Sequence, residues 1–168
     1  MSLRSASDGV RATTVVPADP QQAFDLFTSE VDLWWRRGPR FRQGLGRPSV
    51  MRFEGGEGGR LLEVYTDEAG GAFEIGRVRI WKPGDRLLFE WRGFNFEPGL
   101  VTEVEVRFEP AARGTRVTLE HRGWDRVPEG HASRHGYGTS NAFTSMIGLW
   151  WGDLLTSLRA HAGGGASR

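Results

Sequence analysis

The last long segment of this chain, Gly138 to Leu158, is the only stretch with a clear helical period. Phe143, Ile147, Trp150, Leu154 and Leu158 recur at three- and four-residue steps and share one face of a helix. About seven strand-like runs precede it. An apolar helix face has to be buried, and a run of antiparallel strands offers a sheet to bury it against. The chain is therefore constrained to two layers: a curved antiparallel sheet and a long C-terminal helix. Whatever fills the space between the layers decides what the protein does. Trp150 and Trp151 lie about 100° apart on the helix, so both cannot face inward equally. Trp150, in phase with Phe143 and Leu154, is expected inside.

The rest of the chain reads as short elements. Val10 to Val16 is rich in β-branched residues and should be the first strand. Asp19-Pro20 starts a helix, with Asp19 placed to cap and Pro20 at its first position. A shorter helical piece follows around Val31 to Trp35, then a basic, Gly- and Pro-containing loop from Arg36 to Pro48. Further strands are expected at Ser49–Glu54, Arg60–Tyr65, Phe73–Trp81, Arg86–Trp91, Val101–Glu109 and Thr115–Arg122. Val101–Glu109 alternates most cleanly, with Thr102, Val104, Val106 and Phe108 on one side. Gly123 to Gly136 reads as an irregular loop. The expected organisation is one α+β domain over residues 1–162 and a disordered tail over 163–168.

Composition removes several classes of function. With 168 residues, 38% hydrophobic and 26% charged, the chain can bury a real core. A net charge of +1 gives no pull toward nucleic acid or an anionic membrane. No cysteine is present, so disulfides, thiolate nucleophiles and Cys-ligated metals are excluded. Residues 1–8 carry no secretory signal pattern, and no apolar run approaches the ~20 residues of a membrane span. A cytoplasmic protein without membrane insertion is expected. Seven Trp and ten Phe call for either an aromatic-rich core or an aromatic-lined pocket.

Five stretches, in this order, carry a family resemblance. They are the strand-to-helix entry Pro17–Phe24, the Trp pair in Leu33-Trp34-Trp35, the Gly-Gly strand opening Gly58–Val64, Gly76-Arg77-Val78 followed by Trp81–Trp91, and Gly114–Trp124. With them the chain resembles the helix-grip superfamily of START lipid-transfer domains, birch-pollen-allergen proteins and polyketide cyclases/dehydrases. It looks most like the bacterial proteins related to the activator of the ninety-kilodalton heat-shock-protein ATPase. The resemblance spans Val10 to Ala160. It implies a sheet of six or seven strands wrapped around the C-terminal helix, two short helices after the first strand, and an apolar cavity. Members bind lipids, hormones or polyketides, some are enzymes, and some act on protein partners.

Candidate wall residues follow from rings and inward strand positions. Trp34, Trp35, Trp91, Trp124 and Trp150, with Trp151, are placed to ring one end of a cavity. Phe89, Phe94, Phe96 and Phe143 add further rings. Val104, Val106 and Leu119 from the strands, and Ile147 and Leu154 from the helix, complete the set. His121 should share the inward face of the last strand with Val117 and Leu119, either as an acid–base group or as a core histidine bonded to backbone. Val78 and Ile80 are expected inward, which leaves Arg77 and Arg79 outside. Glu63 and Glu90 lie on strands whose two faces are hard to separate, and read as solvated, whereas an inward one would need a partner and would be a site candidate. Gly148 and Gly152, inside the helix, call for a compensating backbone contact or ligand volume; a dimer face is a weaker reading. His131 and His135 have a helical metal spacing, but no third ligand is evident, so neither a metal nor a cofactor is expected.

Three functions remain open. The first is binding of a hydrophobic small molecule (a lipid, a polyketide or another aromatic compound) between sheet and helix. The second, implied by the resemblance, is action on a chaperone ATPase or another protein partner, homodimerisation included, with the Arg36–Arg47 loop as surface. The third is cyclase, dehydrase or hydrolase chemistry with His121 as acid–base.

Overall fold

The computed structural model describes residues 9–138 and 140–164. Strand β1 (Gly9–Val16) leads into helices α1 (Pro20–Thr28) and α2 (Val31–Trp34). Strands β2 (Ser49–Phe53), β3 (Arg60–Tyr65), β4 (Ala72–Lys82), β5 (Arg86–Trp91), β6 (Thr102–Ala111) and β7 (Gly114–Arg122) follow. The chain closes with helix α3 (Asn141–Ala162). The sheet is antiparallel throughout, in the order β1-β7-β6-β5-β4-β3-β2. Every neighbour from β2 to β7 is sequential, and β1 returns to pair with β7. This is the expected α+β helix-grip architecture, a curved seven-stranded sheet holding a long C-terminal helix.

Local chemistry explains the elements. At α1 the Asp19 side chain accepts from the Gln22 backbone N–H at 2.8 Å, and the Gln22 side chain accepts from the Asp19 N–H at 3.1 Å. With Pro20 at the first helical position, this capping box fixes where α1 begins. Trp34 and Trp35 anchor α2 by donating to the carbonyls of Leu26 and Phe41, both at 3.0 Å. In β6 the expected alternation is seen, with Thr102, Val104, Val106 and Phe108 all buried. Glu105, on the opposite face, is buried as well, and bonds to Arg122 and Arg86.

The sheet and helix depart from the sequence reading in four places. Helix α3 starts at Asn141 rather than Gly138, because Gly138 sits at φ +59° and Ser140 is extended. Its buried face is Phe143, Trp151, Leu154, Leu155 and Leu158, so Trp151 takes the innermost place expected for Trp150. Leu155 and Leu158 move the centre of the apolar stripe round toward Trp151. In β4 a bulge lies between Val78 and Ile80, so Val78 points inward, Ile80 does not join the core, and Trp81 turns in instead. Glu63, read as solvated, is fully buried and accepts from the backbone N–H groups of Gln43 (2.7 Å) and Gly44 (2.9 Å). Arg77 and Arg79 are exposed, and Arg79 pairs with half-buried Glu90 at 2.6 Å.

Among the described residues, apart from their chain neighbours and the backbone of their own helix, Gly148 and Gly152 have no atom within 4 Å of where a Cβ would stand. No backbone from another described element approaches them, which removes one of the two compensations expected for them. The expected tail lies partly outside the described residues; Gly163 and Gly164 form an exposed turn. Residues 1–8, read as lacking a signal, also lie outside them. No helix among the described residues is long and apolar enough to cross a membrane.

Candidate functional site

A cavity of about 340 Å³ lies between the sheet and the N-terminal half of α3. Trp91 closes it from the end of β5, His121 from β7 and Trp124 from the turn after β7. Ile147, Trp150 and Trp151 close it from the helix. Exposed Pro39, Arg40, Phe94 and His135 form its mouth. Its size falls at the lower end of small-ligand pockets, which run from about 300 to 1,000 Å³.

The tryptophans form a continuous ring cluster. Trp91 lies 6.0 Å from Trp124 and 6.3 Å from Trp150, and Trp150 lies 4.9 Å from Trp151, edge to face. Phe41 stacks on Trp150 at 5.7 Å and 30°. The Trp150 indole donates to the Arg40 carbonyl at 2.7 Å, so the mouth loop is tied directly to the helix.

His121 is buried among these rings, and its hydrogen bonds fix its tautomer. The Trp151 indole N–H can only donate, and it reaches His121 Nδ1 at 3.0 Å. The proton of the neutral imidazole is therefore on Nε2, which donates to Thr102 Oγ1 at 2.7 Å. Thr102 in turn donates to the Trp91 carbonyl at 2.9 Å. Burial pushes the imidazole down to about 3, so the ring is neutral near pH 7. Protonation at Nδ1 would set two donors against each other. Both nitrogens are committed to the wall, and neither is left to exchange a proton with a molecule in the cavity. Of the two readings of His121, the positioned core histidine fits this geometry, although its partners are side chains rather than backbone.

Three loops frame the mouth and are held by polar contacts. Glu63 pins residues 43 and 44, and Gln43 Oε1 accepts from the Phe94 backbone N–H at 2.9 Å, joining two of the loops. The third loop is organised by Arg134, which is buried and bonded to backbone carbonyls. Its guanidinium donates to the carbonyls of Trp124, Val127, Pro128 and Gly138 and lies 4.8 Å over the Phe143 ring. That arginine turns a segment expected to be irregular into two short 3-10 turns, Trp124–Arg126 and Ala132–Arg134.

Of the candidates read from sequence, Trp91, Phe94, His121, Trp124, Ile147 and Trp150 border the cavity. Trp34, Trp35, Phe89, Val104, Val106, Leu119, Phe143 and Leu154 are buried in the core beside it, and Phe96 packs half-buried on Trp91 and Trp124. Arg40, Gln43, Asn95, Ser133, His135 and Met146 also border the cavity; the sequence marked Arg40 and Gln43 only as part of a surface loop and His135 only by its spacing from His131, and gave no signal for the others. Most of them sit on loops, where no period marks a face. Gly148 and Gly152 do not border it, so ligand volume does not account for them. His131 and His135 diverge: His131 Nδ1 accepts from the Ser133 N–H at 3.1 Å, while His135 faces the mouth. Among the described residues, no three metal-ligating side chains come together.

A profile of the activator of Hsp90 ATPase homolog 1-like protein family matches residues 17–160. The chain belongs to this family. A search of curated proteins gives no significant match. Among solved structures, a protein of Nitrosomonas europaea superposes with a TM-score of 0.62 at 15% identity, covering 96% of this chain and 98% of its own. The Aha1 dimer of Colwellia psychrerythraea gives 0.59 at 16% identity, covering 90% and 93%. DynU16, from the dynemicin biosynthetic locus, gives 0.61 at 18% identity, covering 94% of this chain and 48% of its own. At these identities the likeness is one of fold.

Proposed function

We propose that this family member binds an apolar, ring-bearing small molecule in the cavity between the sheet and α3. The observation that carries this reading is an open 340 Å³ space walled by Trp91, Trp124, Trp150 and Trp151. A core built only for stability would close over such rings, because unfilled apolar volume is destabilising. The ring faces favour flat partners, and the few polar groups at the mouth would orient them. Titration with phenylnaphthylamine, a neutral aromatic dye, tests the reading. Saturable one-site binding is expected, weakened by about tenfold or more in Ile147→Trp, where the added ring fills the cavity. Absence of saturable binding, or binding indifferent to Ile147→Trp in a folded variant, overturns it.

Family membership supports a second reading, a protein partner such as a ninety-kilodalton chaperone ATPase, or a second copy of the chain. Stimulation of that ATPase by the purified protein, lost on reversing charges in the Arg36–Arg47 loop, would support it.

A further inference from the structure

The cavity wall is unbalanced in charge and in hydrogen-bonding capacity. Arg40, Arg42 and His135 border it together with the amides of Gln43 and Asn95, and among the described residues no carboxylate does. The two nitrogens of His121 are already bonded within the protein, so they offer nothing to a ligand. The indole N–H groups of Trp91 and Trp124 are buried and have no hydrogen-bond acceptor among the described residues.

The two arginines differ in availability. Arg42 is locked: its guanidinium bonds to Asp32 Oδ1 at 3.0 Å and to the carbonyls of Trp35, Arg36 and Ser49. Arg40 is half-exposed at the mouth, 4.9 Å over the Phe41 ring that stacks on Trp150. Its ion partner is Asp153, partly exposed, at 2.7 Å. Exposed pairs of this kind contribute little, so an incoming anion can take Asp153's place at small cost.

Resting on the ligand-binding reading above, we propose that the occupant is an aromatic anion. Its ring body lies against Trp91, Trp124 and Trp150, and its carboxylate, sulfonate or phosphate meets Arg40 at the mouth.

Two dyes of one scaffold test this: anilinonaphthalene sulfonate, which is anionic, and phenylnaphthylamine, its counterpart without the sulfonate. The expected result is tighter binding of the anion by about tenfold, as a charge-assisted hydrogen bond would give, although the neutral dye is the more apolar. The readout is the affinity ratio of the two dyes in each variant. Arg40→Gln should bring it near unity, and Asp153→Asn, which frees Arg40, should raise it. Should Arg40→Gln not fold, salt supplies the same information: about 0.5 M NaCl should lower the ratio in the unmodified protein. Equal or weaker binding of the anion, or a ratio unmoved by Arg40→Gln and by salt, overturns the proposal while leaving ligand binding intact. Failure of both dyes to bind overturns ligand binding itself.

Discussion

His121 sits in an environment far from that of its unfolded state. Its imidazole is held neutral by burial, down to about 3, against an ordinary value near 6.5. As pH falls below the ordinary value, the unfolded chain takes up a proton that the folded chain refuses, so stability falls with pH until the folded ring titrates in turn. Between roughly pH 6 and pH 4 the slope from this one group approaches about 1.4 kcal/mol per pH unit. Denaturant unfolding should show that slope in the unmodified protein and lose it in His121→Gln, whose amide can still donate and accept. Equal slopes in the two would show that the imidazole is not held neutral. The inward direction of His121 was legible in the alternation of β7. Its partners were not: Trp151 and Thr102 come from distant elements, and only the finished fold brings them to 3.0 and 2.7 Å.

At the level of elements, two sets of glycines have opposite meanings. A Cβ on Gly76 would stand 1.6 Å from the Glu90 carbonyl oxygen, where β4 meets β5. Gly76→Ala must part these two backbones, and it is expected to cost more than about 3 kcal/mol in thermal or denaturant unfolding. A cost below about 1 kcal/mol would mean that the strands are less closely packed there. Gly148 and Gly152 have open space instead, so Gly148→Ala and Gly152→Ala should each stabilise α3 by about 0.5 to 1 kcal/mol. A loss of stability in either would reveal a contact that this chain alone does not make. The existence and type of most elements were legible, because capping at Asp19, alternation in β6 and the apolar stripe of α3 are local patterns. The phase of α3 and the face of β4 were less so. Leu155 re-centres the helix stripe, and a bulge after Val78 flips the remainder of its strand, and neither effect belongs to one residue pair.

For the molecule as a whole, the sheet and helix set a fixed frame, and three loops pinned by Glu63, Gln43 and Arg134 complete the mouth. This division explains which part of the site the sequence revealed. Trp91 and Trp150 come from periodic elements and were read from them, whereas Trp124, Arg40, Asn95 and His135 come from turns and loops that converge only in three dimensions. The indole N–H resonances of the seven tryptophans provide the most direct test of a functional cavity. In a two-dimensional NMR titration with phenylnaphthylamine, the signals of Trp91, Trp124, Trp150 and Trp151 should move along one saturating curve. Trp81, packed on Phe24 and Phe53 outside the cavity wall, should stay fixed. No saturable shift at the four, or an equal shift at Trp81, would contradict a ligand site between the sheet and α3.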